Sequence, residues 1–443
     1  MDHGQLSMVA DKFQWVFSAS LLNACGKDAK FCRRERIITP FRLGLALTAT
    51  CASQRVETLA DLHRGFNALW GTSITYKAFY NQVAKPHFAD FARTMTERLI
   101  GEMTLKVLGF HKGQAFAEFH HIVIQDGSSF AIHDGLREVF PGRFKAVKPA
   151  AVELHATMDV LCDAPTTVVL TPDTTNEPAF LPEPATLPRS WLLAARGSSD
   201  VGYLWRGAQA RGFFIIRAKA GMHPQVVEAW REDGKRLRSL RTKPLKAIHA
   251  KLPKRQRVER VVVWQVEEQS LRLRLLISWN RQTKACCSLV TNLPAKRSPL
   301  AMLYRAYPWR WQGELRFKEW TSYANLHAFD TANPATVEGL MWTAIAAAAL
   351  TRFLASMPQL LAAVPMSTRK VAMCAVHVLG AIVRALQSGD EAGLSTALEA
   401  AVTSLACHAQ RAHPERDRQR GRSQLGLEPL FGSTDGVEFA EAA

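Results

Sequence analysis

The sequence predicts a mixed α/β fold held between two helical regions, and three observations predict it. Apolar residues recur at helical spacing from about residue 10 to 110, as in Phe41, Leu43 and Leu45 and later Phe88, Phe91, Met95 and Leu99. Between about 118 and 291 the pattern changes to short apolar or alternating runs bounded by turn residues. From about 301 it returns to helices rich in small and apolar residues. A chain of 443 residues, 47% hydrophobic and 21% charged, can bury a core of that kind in two or three domains.

In the first region, Glu57–Leu69 reads as a helix stopped by Gly71, and Ser73–Val83 as a second helix closed before Pro86. The pair suits either a DNA-reading helix-turn-helix or an ordinary helical hairpin. His121–Gln125 then reads as a buried strand ending at Asp126, followed by strands Ala151–Val160 and Thr166–Leu170. Trp191–Ala194 and Phe213–Arg217 flank a helical stretch, Asp200–Arg211, so antiparallel strands come first and a crossover later. Next comes a basic run that includes Lys235, Arg236, Arg238, Arg241, Lys243, Lys246, Lys251, Lys254, Arg255, Arg257 and Arg260. Strands Val261–Val266, Leu271–Ser278 and Ala285–Thr291 follow it, a β insertion with a cationic edge that suits phosphate contacts or a solvated face. The last region carries a helix over Tyr307–Lys318, others around Thr343–Ala355 and Val371–Leu386, and a charged tail, Arg411–Arg422, that reads as disordered. The expected boundaries are 1–115, 116–220, 221–300, 301–335, 336–410 and 411–443.

A net charge of +17 and a pI near 9.8 favour a polyanionic partner, most simply nucleic acid, although ribosomal or membrane-surface binding fits the same charge. The cysteines at 25, 32, 51, 162, 286, 287, 374 and 407 form no C-x-x-C pair, which predicts reduced thiols in a cytoplasmic protein. No basic-then-apolar signal pattern follows Asp2 and His3. The apolar runs Gly339–Thr351 and Val371–Val383 are too short to span a bilayer and suit buried helices, so no membrane association is expected.

Phosphodiester cleavage is well served by two divalent cations about 3.5–4 Å apart, which need converging carboxylates. Asp126 is a candidate first ligand, because a carboxylate after the apolar I-V-I run is costly to bury without a cation or hydrogen bonds. The alternative is an Asx turn through Gly127–Ser128–Ser129. Glu314 is the candidate counterpart. Arg310, Glu314 and Lys318 are spaced four apart and share a helical face, among Tyr307, Trp309, Trp311, Phe317 and Trp320. Such a segment can hold phosphates and stack on splayed bases, or it can be a core-packed helix with a surface ion-pair ladder.

Several blocks together resemble the DDE-type transposases of the insertion-sequence-4 group: D-G-S-S-F-A at 126–131, P-G-R-F-K at 141–145, A-V-E-L-H at 151–155, L-T-P-D-T at 170–174, R-A-K-A-G at 217–221 and R-W-Q-G-E-L-R-F-K-E-W at 310–320. The similarity runs from about residue 30 to about 355. It implies an RNase H-like catalytic core with a β-strand insertion before its final glutamate, flanked by helical N-terminal and C-terminal regions, the first of which binds DNA. Asp126 matches the family's first catalytic aspartate and Glu314 its glutamate. Tyr307, Arg310 and Glu314 match the start of its Tyr-x2-Arg-x3-Glu-x6-Lys signature.

Two departures stand out. The family's L-A-D-R-G-Y, which supplies the second aspartate, reads Leu193–Ala194–Ala195–Arg196–Gly197–Ser198 here, and the signature's lysine falls on Thr321. Asp200 is a weak substitute in another register, and is equally a favourable charge at a helix N-terminus. The resemblance implies a bacterial, nucleoid-associated transposase dependent on Mg²⁺, with Mn²⁺ able to substitute. Asp126 and Glu314 would hold the metal while water and then a freed 3′-hydroxyl attack phosphodiesters. It further implies double-stranded DNA (element ends and target) as partner, a homodimer on that DNA, and contacts from Tyr307, Arg310, Trp311, Lys318, Arg255 and Arg257. Loss of the second ligand leaves a catalytically inactive DNA-binding derivative as the alternative. An unrelated metal-dependent phosphoesterase using Asp126 would leave the aromatic, cationic segment around Glu314 and the basic run unexplained.

Overall fold

The computed structural model describes residues 3–32, 36–53, 55–103, 119–175, 177–195, 198–219, 224–231, 235–238, 258–266, 269–280, 285–296, 298–326 and 329–413. Most of the predicted basic run, Arg255 and Arg257 included, lies outside these residues, as do Arg196, Gly197 and the tail from 414 onward.

Among the described residues, six helices precede the sheet: α1 (His3–Val16), α2 (Ala19–Asp28), α3 (Pro40–Ser53), α4 (Leu59–Trp70), α5 (Tyr76–Val83) and α6 (Phe88–Glu102). Helix α4 begins where the Asp61 carboxylate accepts the backbone N–H groups of Thr58 (2.8 Å) and Glu57 (3.0 Å), and it ends at Gly71 in the left-handed conformation (φ 59°). The following helix starts at Tyr76 rather than Ser73, because residues 72–75 are spent on the turn. Asn67 Oδ1 accepts from Ile74 N (3.1 Å) and from the Thr72 hydroxyl (2.9 Å), and Thr75 caps α5 by accepting from Ala78 N.

Among the described residues, nine strands form one mixed sheet: β1 (His121–Ala131), β2 (Ala151–Asp159), β3 (Ala164–Pro172), β4 (Ser190–Ala194), β5 (Phe213–Arg217), β6 (Gln225–Arg231), β7 (Val258–Val266), β8 (Gln269–Asn280) and β9 (Ala285–Thr291). Their spatial order is β3-β2-β1-β4-β5-β9-β8-β7-β6. Strands β1, β4 and β5 run parallel, with α7 (Val201–Gln209) crossing between β4 and β5; every other pairing is antiparallel. This is the RNase H-like mixed architecture the resemblance implies. The predicted β insertion joins through β9 to β5 and so continues the same sheet, with β6 as an additional edge strand that the charge-dominated reading of this stretch passed over.

Asp126 does not end its strand. Gly127, Ser128 and Ser129 carry turn composition, yet they pair with His155, Leu154 and Glu153 of the fully buried β2, and that ladder outweighs their weak strand preference. The predicted helix over Tyr307–Lys318 is likewise broken. It consists of a 3-10 turn over Tyr307–Arg310 containing Pro308 and the first part of α9 (Trp311–Tyr323), and α8 (Leu300–Ala306) precedes the turn.

Among the described residues, three longer helices follow: α10 (Pro334–Leu361), α11 (Thr368–Ser388) and α12 (Glu391–His408). Helices α10 and α11 outrun the apolar runs that revealed them and are long and apolar enough to cross a membrane, but 89% of the apolar window of α10 is buried against protein, compared with 44% for α11. Helix α10 packs on α3 and α6, where Thr96 Oγ1 donates to Trp342 O at 2.9 Å, so helices from both ends of the chain share one apolar core over one face of the sheet. A smaller core under α7 covers the other face. Arg411, assigned by composition to a disordered tail, is 6% exposed, and its N–H donates to Pro365 O at 3.0 Å.

Candidate active site

Asp126 stands where the parallel half of the sheet gives out. The last β1–β4 pair is Gln125 with Ala194, so Ala195, the next residue, leaves β4 level with Asp126. Helix α9 lies across this point, and Gly313 makes the approach possible. A Cβ there would stand 3.0 Å from Asp126 Cβ and 3.1 Å from its Oδ2, closer than most side-chain contacts, so Asp126 would have to shift by a few tenths of an ångström. Glu314, one residue on, is thereby delivered to the same spot.

Between the two acids lies Arg310. Its Nη1 donates to Asp126 Oδ2 at 3.0 Å and its Nη2 to Glu314 Oε1 at 2.6 Å. The side chains of Arg310 and Asp126 are only 12% and 11% exposed, whereas Glu314 is 41% exposed. Burial works to lower the Arg310 pKa, but the Glu314 hydrogen bond and the Asp126 charge outweigh it and raise the value overall. The Tyr307 hydroxyl donates to Ala194 O at 3.3 Å, and burial pushes its pKa up to about 12, against the opposing charge of Arg310.

The other candidates are distributed differently. Phe317 and Trp320 are buried and Trp309 packs on Trp191, so these aromatics belong to the core. The side chain of Trp311 lies outside what the structure describes. Lys318 is exposed on α9, and the Thr321 hydroxyl donates back to Phe317 O at 2.9 Å. Asp200 is exposed and caps α7, accepting from Tyr203 N at 2.7 Å, as its position before a helix predicts.

Sequence reading missed two charged clusters that brace this site. On the far side of α9, Arg316 donates to both the backbone and the side chain of Asp163 in the β2–β3 turn. Arg352 of α10 donates to the Asp163 carboxylate twice, at 2.9 Å each, and to Glu319 of α9 at 2.8 and 3.0 Å. All four side chains are at least nine-tenths buried. Burial, with the Arg352 charge beside it, lowers the Arg316 pKa to about 10. The only sequence signal was position: Arg316 and Glu319 flank the apolar Phe317 and Trp320.

On the opposite face of the sheet, Arg143, Glu153, His155 and Asp173 meet. They come from three of the blocks that carry the resemblance. Arg143 Nη2 donates to Glu153 Oε2 at 3.3 Å and to Asp173 O at 2.9 Å. His155 is 1% exposed and stacks on Phe180 at 3.8 Å between ring centroids. Burial, aided by Arg143, pushes the His155 pKa down from 6.5 to about 4. The unfolded chain therefore takes up this proton first, so the stability contributed by neutral His155 is complete above pH 6.5 and is lost as pH falls toward 4. Urea unfolding at pH 7 and pH 5 should show a loss of about 2 kcal/mol from this group, and a distinctly smaller loss in His155→Phe. Equal losses in the two proteins would refute the assignment.

Comparison with known proteins agrees with the architecture. A family model described as a transposase DDE domain matches residues 118–350, from the start of the sheet into α10. The chain is also 22% identical over 366 residues to the transposase for insertion sequence element IS231E of Bacillus thuringiensis subsp. finitimus, an alignment covering 73% of this chain and 74% of that relative.

Proposed function

The chain belongs to the transposase DDE domain family, and from that premise we propose that it is a bacterial insertion-sequence transposase, of insertion-sequence-4 type, that binds the ends of its element and cuts and rejoins DNA there. The observation that carries the proposal is the meeting of Asp126 with Arg310 and Glu314, brought together across 184 residues of sequence at the open end of the parallel strands. Buried charges are costly to assemble, and here they hold the Glu314 carboxylate in a partly open position, where a ligand can reach it.

The donor set suits one divalent cation better than two. Asp126 Oδ2 and Glu314 Oε1 both reach a single guanidinium, so they would converge equally on a metal ion. The place level with Asp126 on β4 offers only the methyl group of Ala195, and among the described residues no group of three or more His, Cys, Asp or Glu converges. Asp126 and Glu314 would hold the ion, Mg²⁺ or Mn²⁺, whose charge would offset that on the phosphate oxygens. Arg310 offsets part of the charge of the two carboxylates and aligns them without metal, and once released it can pair with a backbone phosphate. Tyr307 holds the Ala194 carbonyl and thereby the path of the chain into Ala195. Lys318, exposed one helical turn beyond Glu314, extends the cationic surface toward DNA. Work on a double-stranded DNA substrate by a homodimer in the bacterial cytoplasm completes the reading.

One observation favours a second reading, a transposase-derived DNA-binding protein without cleavage activity: Ala195 stands where a bridging carboxylate is needed. A nicking assay with Mn²⁺ on DNA carrying the element's own ends separates the two. Slow cleavage that Asp126→Ala lowers at least about 100-fold is the expected result. Binding to those ends without cleavage, unchanged by restoring a carboxylate at 195, would establish the second reading.

A further inference from the structure

We propose that the loop between β1 and β2 is a DNA wedge, in which Phe144, backed by Val147, enters between base pairs while Lys145 and Lys148 hold the flanking phosphates. The inference rests on the transposase reading and adds to it a surface that neither the acidic residues nor the helix-turn-helix candidate requires.

The loop presents what a folded protein normally hides. Phe144 is 63% exposed and Val147 80% exposed, next to Val139 at 49%. Single exposed apolar side chains are ordinary, but here a phenyl ring and a valine share one tip with lysines. Lys145 and Lys148 are exposed and make no ion pair among the described residues; of the two acids in the loop, Glu138 pairs with Arg137 at 3.6 Å and Asp134 starts the 3-10 turn Asp134–Leu136, outside the 144–148 tip. An apolar point between unpaired cations complements a base step between phosphates, and does not complement an apolar protein partner.

The tip is also rigid enough to act as a wedge. Its stem is closed by the Pro141–Ala150 bridge, by Gly142 N donating to Pro149 O (2.9 Å) and by Ala151 N donating to Phe140 O (3.1 Å). Phe144 O accepts from Val147 N at 3.0 Å and Lys148 N at 2.7 Å, which folds residues 144–148 into a tight turn. Below it, Arg143 is clamped: its backbone N–H donates to Asp173 Oδ2 (3.1 Å), its Nε to Asp173 O (3.2 Å) and its Nη2 to Glu153. Phe140 is buried beneath the stem. The buried charges on this face of the sheet thus anchor a loop whose next residue is the exposed phenylalanine. Glu153 Oε1 lies 3.3 Å from the position a Cβ would take on Gly127, so the anchor is one residue of β1 from Asp126. Duplex DNA kinked at the tip would gain contact with this end of the sheet, and pyrimidine–purine steps would yield most easily.

The test uses the full chain and a linear duplex carrying 2-aminopurine beside TA steps. Fluorescence reports unstacking and a mobility shift reports binding. The wild-type protein should bind and raise the fluorescence. Phe144→Ala should bind about ten-fold more weakly and lose most of the fluorescence rise, whereas Phe144→Trp should keep both. Lys145→Ala with Lys148→Ala should flatten the salt dependence by about two phosphate contacts and leave unstacking at saturation intact. Circular dichroism verifies that each variant is folded, as expected for side chains in solvent. If the wild-type protein binds but Phe144→Ala unstacks DNA equally well, the wedge is wrong and the transposase reading stands. If the wild-type protein binds no DNA, both fall.

Discussion

Asp163→Ala is expected to lower the free energy of unfolding by about 3–5 kcal/mol, the largest effect on stability of any single change considered for this protein. Asp163 supplies the carboxylate that Arg316 and Arg352 share, and its removal leaves both guanidinium groups buried, with the Glu319 carboxylate accepting from Arg352. The cost arises from leaving charge buried without a partner, rather than from the strength of one ion pair. Urea unfolding at pH 7 measures it. A loss below about 1 kcal/mol would mean that water reaches the cluster and that it does not brace α9. Because Arg316 and Glu319 sit on the same helix as Glu314, the variant should also lose cleavage in conditions where it remains folded.

Ala195→Asp is expected to have the largest effect on function. Its Cα leaves β4 level with Asp126, and parallel neighbours lie about 4.8 Å apart, so the new carboxylate would join Asp126 and Glu314 around one point. A third ligand should tighten Mn²⁺ binding at least about ten-fold, measured by calorimetry without DNA, and raise the nicking rate by a similar or larger factor. Removing Asp126 from the same protein should abolish both gains. If Mn²⁺ affinity does not change, position 195 does not face the acidic pair and the departure from the family pattern has no bearing on the metal.

The element types were legible because they depend on local pattern. Strands β5 and β9 were read at their observed bounds, and β2 and β4 to within one residue, since apolar runs between turn residues seldom fit anything else. Where composition misled, a distant partner had decided the matter. Gly127–Ser128–Ser129 looks like a turn and is a strand because β2 pairs with it, while Tyr307–Lys318 looks like one helix and is a 3-10 turn containing Pro308 followed by an α-helix from Trp311. The acids Asp126 and Glu314 were visible as unusual carboxylates, but the phenylalanine and tryptophan side chains beside Glu314 proved to be core.

The sequence by itself determined the mixed α/β class, the succession of helical, β-rich and helical regions, the basic charge and the two acids worth watching, all of which follow from residue type and spacing along a few turns or strands. Only the tertiary structure decided that Arg310 lies between those acids, that Ala195 stands level with Asp126, that Asp163 braces the helix carrying Glu314, and that Phe144 is held out on a clamped loop. The physical reason is range. Propensity and periodicity act within an element, whereas burial, strand register and charge pairing join residues far apart in the chain, and their energies exist only once those residues meet.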